Sequence, residues 1–234
     1  MNTKPSLLAR GYWLSTIAFF VATAIMLVVY TPVGQSMGPV QKIFYLHLPV
    51  AINTFVAAFV MFIASVGYLW QRRLWWDDLA AAAGKVTVLF CSVLLLTGIL
   101  SGRSAWGQWW TWSPRLTFSL VLWLLYVVYL VLRPAIESPQ RRAMVSALYG
   151  SAAFLDVPLV YFSVKLIEDI HPSSIALAPE MQVTLLAWFV PVTLLMAGLI
   201  TARYKLNRVI RATEQHHDLD LTQTSTVQRM GGAV

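Results

Sequence analysis

Four tryptophans and an arginine lie close together in the segment WGQWWTWSPR. They are Trp106, Trp109, Trp110, Trp112 and Arg115. Indole faces pack well on flat aromatic ligands, and a guanidinium can bind a carboxylate through two parallel hydrogen bonds. Tryptophans also form belts at membrane interfaces, but a belt needs no more than one or two indoles at each helix end. The density of indoles here therefore favours a ligand platform over a membrane belt.

Two of the four histidines are candidate metal ligands. His47 lies at the outward end of the predicted second helix, with Pro49 in the first helical turn, and His171 lies in the last outward connection. His216 and His217 belong to a polar C-terminal run and are interpreted as solvated. Two neutral imidazoles can fill both axial positions of a haem iron, which leaves no position for a substrate. The histidines, the indoles and the guanidinium together favour haem binding.

The composition is that of a membrane protein. Hydrophobic residues make up 58% of the 234 positions and charged residues 12%, against about 25% charged in soluble domains. The mean hydropathy is +0.66. An apolar run of about 17 to 25 residues can cross the hydrocarbon core. We predict an all-α, polytopic protein whose six transmembrane helices lie at residues 12–30, 47–70, 84–101, 116–133, 143–164 and 182–202.

The lysines and arginines predict the orientation, because cytoplasmic loops carry the excess of these residues. Thirteen of the seventeen belong to one side, which holds both termini, and this side is predicted to be cytoplasmic. The Trp-rich loop then faces outward. The excess positive charge is a topology signal rather than a nucleic-acid stripe. The outward side has only Lys42, Arg103, Arg115 and Lys165.

The chain is predicted to have one membrane domain, residues 1–211, followed by a disordered cytoplasmic tail, residues 212–234. The first apolar run lacks a small-residue cleavage site and is interpreted as a retained helix rather than a signal peptide. Connections of roughly ten to eighteen residues are expected between successive helices. The chain has no phosphate-binding loop and no CxxCH haem-attachment motif, so we expect neither ATP hydrolysis nor a c-type cytochrome.

Several motifs resemble the CcmC family, the haem-handling component of bacterial cytochrome c maturation. These motifs are FYLHLP at the start of the second helix, the tryptophan-rich WGQWWTWSPRLT of "WWD" proteins, and PLVYFSV and IHP before the last helix. The resemblance covers nearly the whole chain. Three features differ from the family pattern: Ser113 replaces an aspartate, Lys165 and Leu166 follow the SV motif where the family tends to have tryptophans, and Pro172 instead of glutamine follows the second histidine.

The resemblance implies that haem b is held as transient cargo at the periplasmic face of the bacterial inner membrane. His47 and His171 would be the axial ligands, and the four tryptophans would be the platform. The haem would pass to the chaperone CcmE, which attaches it covalently through its own histidine. CcmA and CcmB, with a small single-helix subunit, would complete an ABC-type complex. The chain itself would be a transfer component and not an enzyme.

Two other functions use some of the same residues. A b-type electron-transfer subunit also needs paired histidines, although its ligands usually lie within helices at bilayer depth. A transporter for a quaternary ammonium could use an aromatic cage, although such a cage is expected near the midplane. Asp156 is a further candidate for function, because an ionisable group inside a membrane helix is costly; its alternative is a structural role at the helix break before Pro158.

Overall fold

The protein is a bundle of helices. In the part of the chain that the structure describes, six helical spans are long and apolar enough to cross a membrane. The computed structural model describes residues 6–33, 38–166, 171 and 177–231. This architecture confirms the predicted all-α, six-span fold. Helices α5 and α6 share the fifth span. The helices are α1 (Leu7–Val29), α2 (Phe44–Gln71), α3 (Leu74–Trp106), α4 (Pro114–Leu132), α5 (Pro139–Ala153), α6 (Asp156–Leu166) and α7 (Pro179–Gly231).

Helices α2 and α3 pack closely because small residues line their contact. Without a strong hydrophobic force between helices in lipid, close backbone approach and van der Waals packing hold such pairs together. Gly84 shows how tight the packing is, since a Cβ there would lie 2.9 Å from Met61 Sδ and 3.0 Å from the Tyr129 ring. The fully or almost fully buried alanines of the pair are Ala57, Ala58, Ala64, Ala80, Ala82 and Ala83.

The fifth span is broken between α5 and α6. Pro158 has no N–H to offer the Phe154 carbonyl, and its ring would clash with that carbonyl in a continuous helix. The Val157 N–H instead donates to the Phe154 carbonyl at 3.0 Å, which closes a tighter turn. Asp156 is buried and is the first residue of α6, where an acidic side chain is favoured by the helix dipole. The break lies where Pro158 predicts it, and Asp156 lies at this break. A function for Asp156 beyond this place at the start of α6 stays a prediction.

The connection between α2 and α3 is much shorter than predicted. Only Arg72 and Arg73 separate the two helices. Arg72 has a φ of 57°, and its N–H donates to the Tyr68 carbonyl at 2.8 Å, so it ends α2 as a left-handed cap. The prediction of a long connection was wrong because two acidic residues, Asp77 and Asp78, interrupt the hydropathy of a segment that is nevertheless helical.

Those two aspartates form a buried ionic cluster with arginines from elsewhere in the chain. Both guanidinium nitrogens of Arg133 donate to the Asp77 carboxylate, at 2.7 and 2.8 Å. Arg211 of α7 lies 2.5 Å from Asp78 and 3.5 Å from Asp77. The cluster joins the start of α3, the 3₁₀ turn after α4 and the distal part of α7 at one end of the bundle.

Helix α7 continues through Gly231. It therefore includes most of residues 212–234, for which the sequence predicts a disordered tail. Arg211 belongs to the packed end of the bundle that holds the ionic cluster, because it pairs with the buried aspartates. The boundary at residue 211 between a membrane domain and a tail stays a prediction.

Replacing Asp77 by asparagine should destabilise the fold. The substitution leaves the guanidinium of Arg133, whose side chain is only 14% exposed, without its carboxylate, and removing one partner of a buried ion pair costs about 3–5 kcal/mol. We expect a lower thermal unfolding midpoint for detergent-purified protein. Glu137→Gln removes an exposed carboxylate at the same end of the bundle and serves as the control. Equal midpoints for the two variants would show that the cluster contributes little.

Candidate ligand-binding site

A cavity of about 310 Å³ lies between α2, α3, α4 and α6, at the opposite end of the bundle from the ionic cluster. This volume is at the lower end of the roughly 300–1,000 Å³ found for small-molecule sites. Four of the residues selected from the sequence line it: His47, Trp106, Arg115 and His171. Its remaining walls are mostly apolar, with Leu48, Ile52, Phe55, Leu94, Leu95 and Val160 among them.

His47 contacts a threonine of the neighbouring helix. Its Nδ1 lies 2.9 Å from Thr97 Oγ1. The Thr97 hydroxyl donates its single proton to backbone carbonyls of its own helix, at 2.7 Å from Val93 O and 3.1 Å from Leu94 O. When the hydroxyl proton points to these carbonyls, the Thr97 oxygen accepts from His47, and in that arrangement Nδ1 of His47 carries the proton and Nε2 is the basic nitrogen.

The position of His47 in its helix differs from the prediction. A 3₁₀ turn, Gly38–Ile43, leads directly into α2, which begins at Phe44. Pro49 is therefore the sixth residue of the helix and lies in its second turn rather than its first. Because Pro49 has no N–H, it cannot donate the helical hydrogen bond that the Tyr45 carbonyl, four residues earlier, would otherwise accept. His47 lies in this locally weakened turn.

His171 contacts the arginine and one of the tryptophans. Nη1 of Arg115 lies 3.3 Å from Nδ1 of His171, and Nη2 donates to the Tyr161 carbonyl at 3.3 Å. A guanidinium has no acceptor atom, so Nδ1 of His171 accepts in this arrangement and the ring proton lies on Nε2. The Trp106 ring is edge-on to the imidazole, with centroids 6.2 Å apart. His171 and His47 thus present opposite tautomers.

The Trp-rich segment begins with helical structure rather than with a loop. Trp106 is the last residue of α3, and the helix ends because Gly107 adopts a φ of 72°. The Gly107 N–H donates to the Arg103 carbonyl at 3.1 Å. A positive φ of this kind favours glycine at a helix C-terminus. The loop proper covers residues 107–113, and α4 starts at Pro114.

The structure divides the four tryptophans into two groups. Trp106 lines the cavity, whereas Trp109 and Trp110 border a smaller adjacent recess. Trp110 is edge-on to Trp112, with ring centroids 5.7 Å apart. Trp109 is 59% exposed and Trp112 is 75% exposed. Trp109, Trp110 and Trp112 therefore lie beside the cavity and do not line it. We call these three indoles the rim of the cavity.

Sequence reasoning missed the polar side of α3. Thr97 contacts His47, and Ser101 and Ser104 line the cavity. Their spacing of four and three residues puts all three on one helix face. A stripe of hydroxyls in an otherwise apolar span was the signal that could have identified them. Lys165 was noted as an outward cation and as a difference from a family pattern, but not as a site residue, and it also lines the cavity.

Comparison with known proteins identifies similar sequences over most of the chain. The family model described as Heme exporter protein C matches residues 3–219. The Heme exporter protein C of Bradyrhizobium diazoefficiens is 33% identical over 187 residues, which are 77% of this chain and 71% of that protein. The Rhodobacter capsulatus protein is 38% identical over 117 residues, 49% of this chain and 47% of its own length. The Escherichia coli K12 protein is 27% identical over 186 residues, with coverages of 77% and 75%.

Replacing Thr97 by valine should weaken the binding of added haem. Valine preserves the shape but removes the acceptor that keeps the proton on Nδ1 of His47. Loss of such a supporting hydrogen bond typically lowers metal affinity about 10- to 100-fold. Haem titration followed by absorbance measures the change. Thr87→Val is the matched control, because Thr87 is buried in the same helix and makes the same bond to its own backbone. Equal affinities in the two variants would contradict the role of Thr97.

Proposed function

The chain belongs to the Heme exporter protein C family, and we propose that it holds haem b as transient cargo between His47 and His171. It is a multi-pass membrane protein with a role in haem handling for cytochrome c maturation. It is a transfer component rather than a catalytic enzyme. The distribution of lysine and arginine predicts that the proposed site faces outward, and the resemblance implies that this is the periplasmic face of the bacterial inner membrane.

The observation that carries the proposal is that two imidazoles from distant parts of the chain line one cavity with apolar walls. A porphyrin has a flat apolar body that suits such walls, and its iron accepts an imidazole on each face. With both axial positions filled, the iron has no open position for a substrate. A site of this kind holds haem and does not transform it.

Arg115 changes partner when haem enters. Its guanidinium now lies against Nδ1 of His171. An iron that binds this imidazole through Nδ1 replaces the guanidinium directly. An iron that binds through Nε2 requires the ring proton to move to Nδ1, which then can no longer accept from Arg115. Either route breaks the contact between Nη1 of Arg115 and the imidazole, and Nη1 would then donate to a propionate of the haem while Nη2 keeps the Tyr161 carbonyl. Haem ligation and propionate binding are therefore linked through one side chain.

The exposed indoles beside the cavity supply a surface for a partner. Trp109 and Trp112 are the most exposed aromatic residues of the rim. Large, rigid aromatic side chains are typical anchors of protein interfaces. We propose that Trp106, Trp109, Trp110 and Trp112 form a platform on which haem is presented to the chaperone CcmE. CcmA, CcmB and a small single-helix subunit are the other proposed partners, and release of the loaded chaperone would use the ATPase of the complex.

Replacing either histidine by glycine should abolish the six-coordinate, low-spin haem spectrum, because one axial ligand is lost. Added imidazole should restore the spectrum in both His47→Gly and His171→Gly, since it can occupy the space left by the side chain. Absorption spectra of detergent-purified protein, oxidised and reduced, measure both effects. His217→Gly, in the polar C-terminal run, controls for the loss of a histidine as such. Full low-spin haem in either site variant without imidazole would contradict ligation by that residue.

Replacing Trp109 and Trp110 together by alanine should slow haem transfer to purified CcmE more than it lowers haem content. Both indoles border the recess beside the cavity, while neither histidine is touched by the change. The rate of covalent haem attachment to the chaperone is the measurement. Trp70→Ala is the control, because Trp70 is 86% exposed at the other end of α2. Unchanged transfer in the double variant would show that these indoles are membrane anchors.

A further inference from the structure

Two cationic side chains lie at one edge of the cavity. Arg115 comes from α4 and Lys165 from the last turn of α6. Both meet the same residue, because Arg115 donates to the Tyr161 carbonyl and the Lys165 ammonium lies 5.2 Å from the centre of the Tyr161 ring. Among the described residues that line the cavity there is no aspartate or glutamate. The cavity therefore combines an apolar body with one positively charged edge.

The ammonium of Lys165 is held close to this edge by aromatic faces. Besides Tyr161, the Phe162 ring centre lies 5.9 Å from Nζ. The attraction between an ammonium and an aromatic face is weak at an exposed site, and Lys165 is exposed. A carboxylate offers a stronger, charge-assisted hydrogen bond. Lys165 can thus exchange its aromatic contacts for an anionic group of a ligand without losing a strong partner there.

We propose that Lys165 determines which tetrapyrroles the site accepts, by binding the second of two carboxylates while Arg115 binds the first. Haem carries two propionates on one edge, and two cations at one edge of the cavity match this arrangement. A carboxylate that enters an apolar cavity without a cationic partner loses its hydration, and no new interaction compensates for that loss. The site accordingly favours dicarboxylate tetrapyrroles over those whose carboxylates are esterified. This inference rests on the proposed function, since it assigns a specificity to the same site.

The role of Lys165 can be tested by comparing two ligands in two forms of the protein. The affinities of haem and of haem dimethyl ester are measured for the wild type and for Lys165→Gln, both in nanodiscs of neutral lipid. We expect Lys165→Gln to weaken haem binding about tenfold, the value of a charge-assisted contact. Binding of the ester should change less than about twofold, because the ester has no carboxylate for Lys165 to bind.

Two further variants separate charge from shape. Lys165→Arg keeps the positive charge and should retain most of the discrimination between haem and its ester. Lys42→Gln removes a lysine at the same end of the bundle that does not line the cavity, and it should change neither affinity. The low-spin haem spectrum should persist in all these variants, because none of them alters an axial histidine.

Three results would overturn the inference. Equal weakening of both ligands in Lys165→Gln would mean that the residue shapes the site without binding a carboxylate. Unchanged haem affinity would mean that it has no contact with the cargo. An effect that is seen only in nanodiscs of phosphatidylglycerol, and is the same for both ligands, would assign Lys165 to a lipid headgroup. In each case an intact low-spin spectrum would leave the proposed function standing, whereas a wild type without that spectrum would remove both proposals.

Discussion

The close approach of α2 to α3 is the constraint on which the candidate site depends. Buried alanines let the two backbones come together, since larger side chains would hold them apart. The same pair of helices brings His47 within hydrogen-bonding distance of Thr97 at one end. A wider spacing between α2 and α3 would break that bond, and the imidazole could then adopt either tautomer. Packing of small residues along the two helices thus sets the distance between His47 and Thr97.

Helices α3 and α4 connect the two ends of the protein. Arg133, just beyond α4, binds Asp77 at the start of α3, while Arg115 and Thr97 lie toward the other ends of the same helices. Helices are stiff over such lengths, so an ionic cluster at one end limits how far the helices can slide past each other at the other. The cavity can then keep its shape during the proposed change of partner at Arg115.

The sequence predicted much of the fold, because lipid leaves few alternatives to a helix for a long apolar segment. The number of spans followed from hydropathy alone. The limits of the spans did not, as the continuation of α3 past Asp77 and Asp78 shows. Each aspartate lowers the mean hydropathy of its segment. In the folded chain, however, both carboxylates pair with arginines that are distant in sequence. A local average of hydropathy takes no account of pairing between residues that are distant in sequence.

For the candidate site, the sequence by itself determined the residue types: two histidines, a cluster of indoles and a guanidinium, all expected at one membrane face. Residue type limits chemistry, because only certain side chains can ligate iron or bind a carboxylate. The tertiary structure decided which of these residues share a cavity, with Trp106 inside and Trp109 and Trp112 on the rim. It also decided the contact of His47 with Thr97 and the placement of Lys165 at the same edge of the cavity as Arg115. These features depend on distances between separate helices, which arise only when the helices pack.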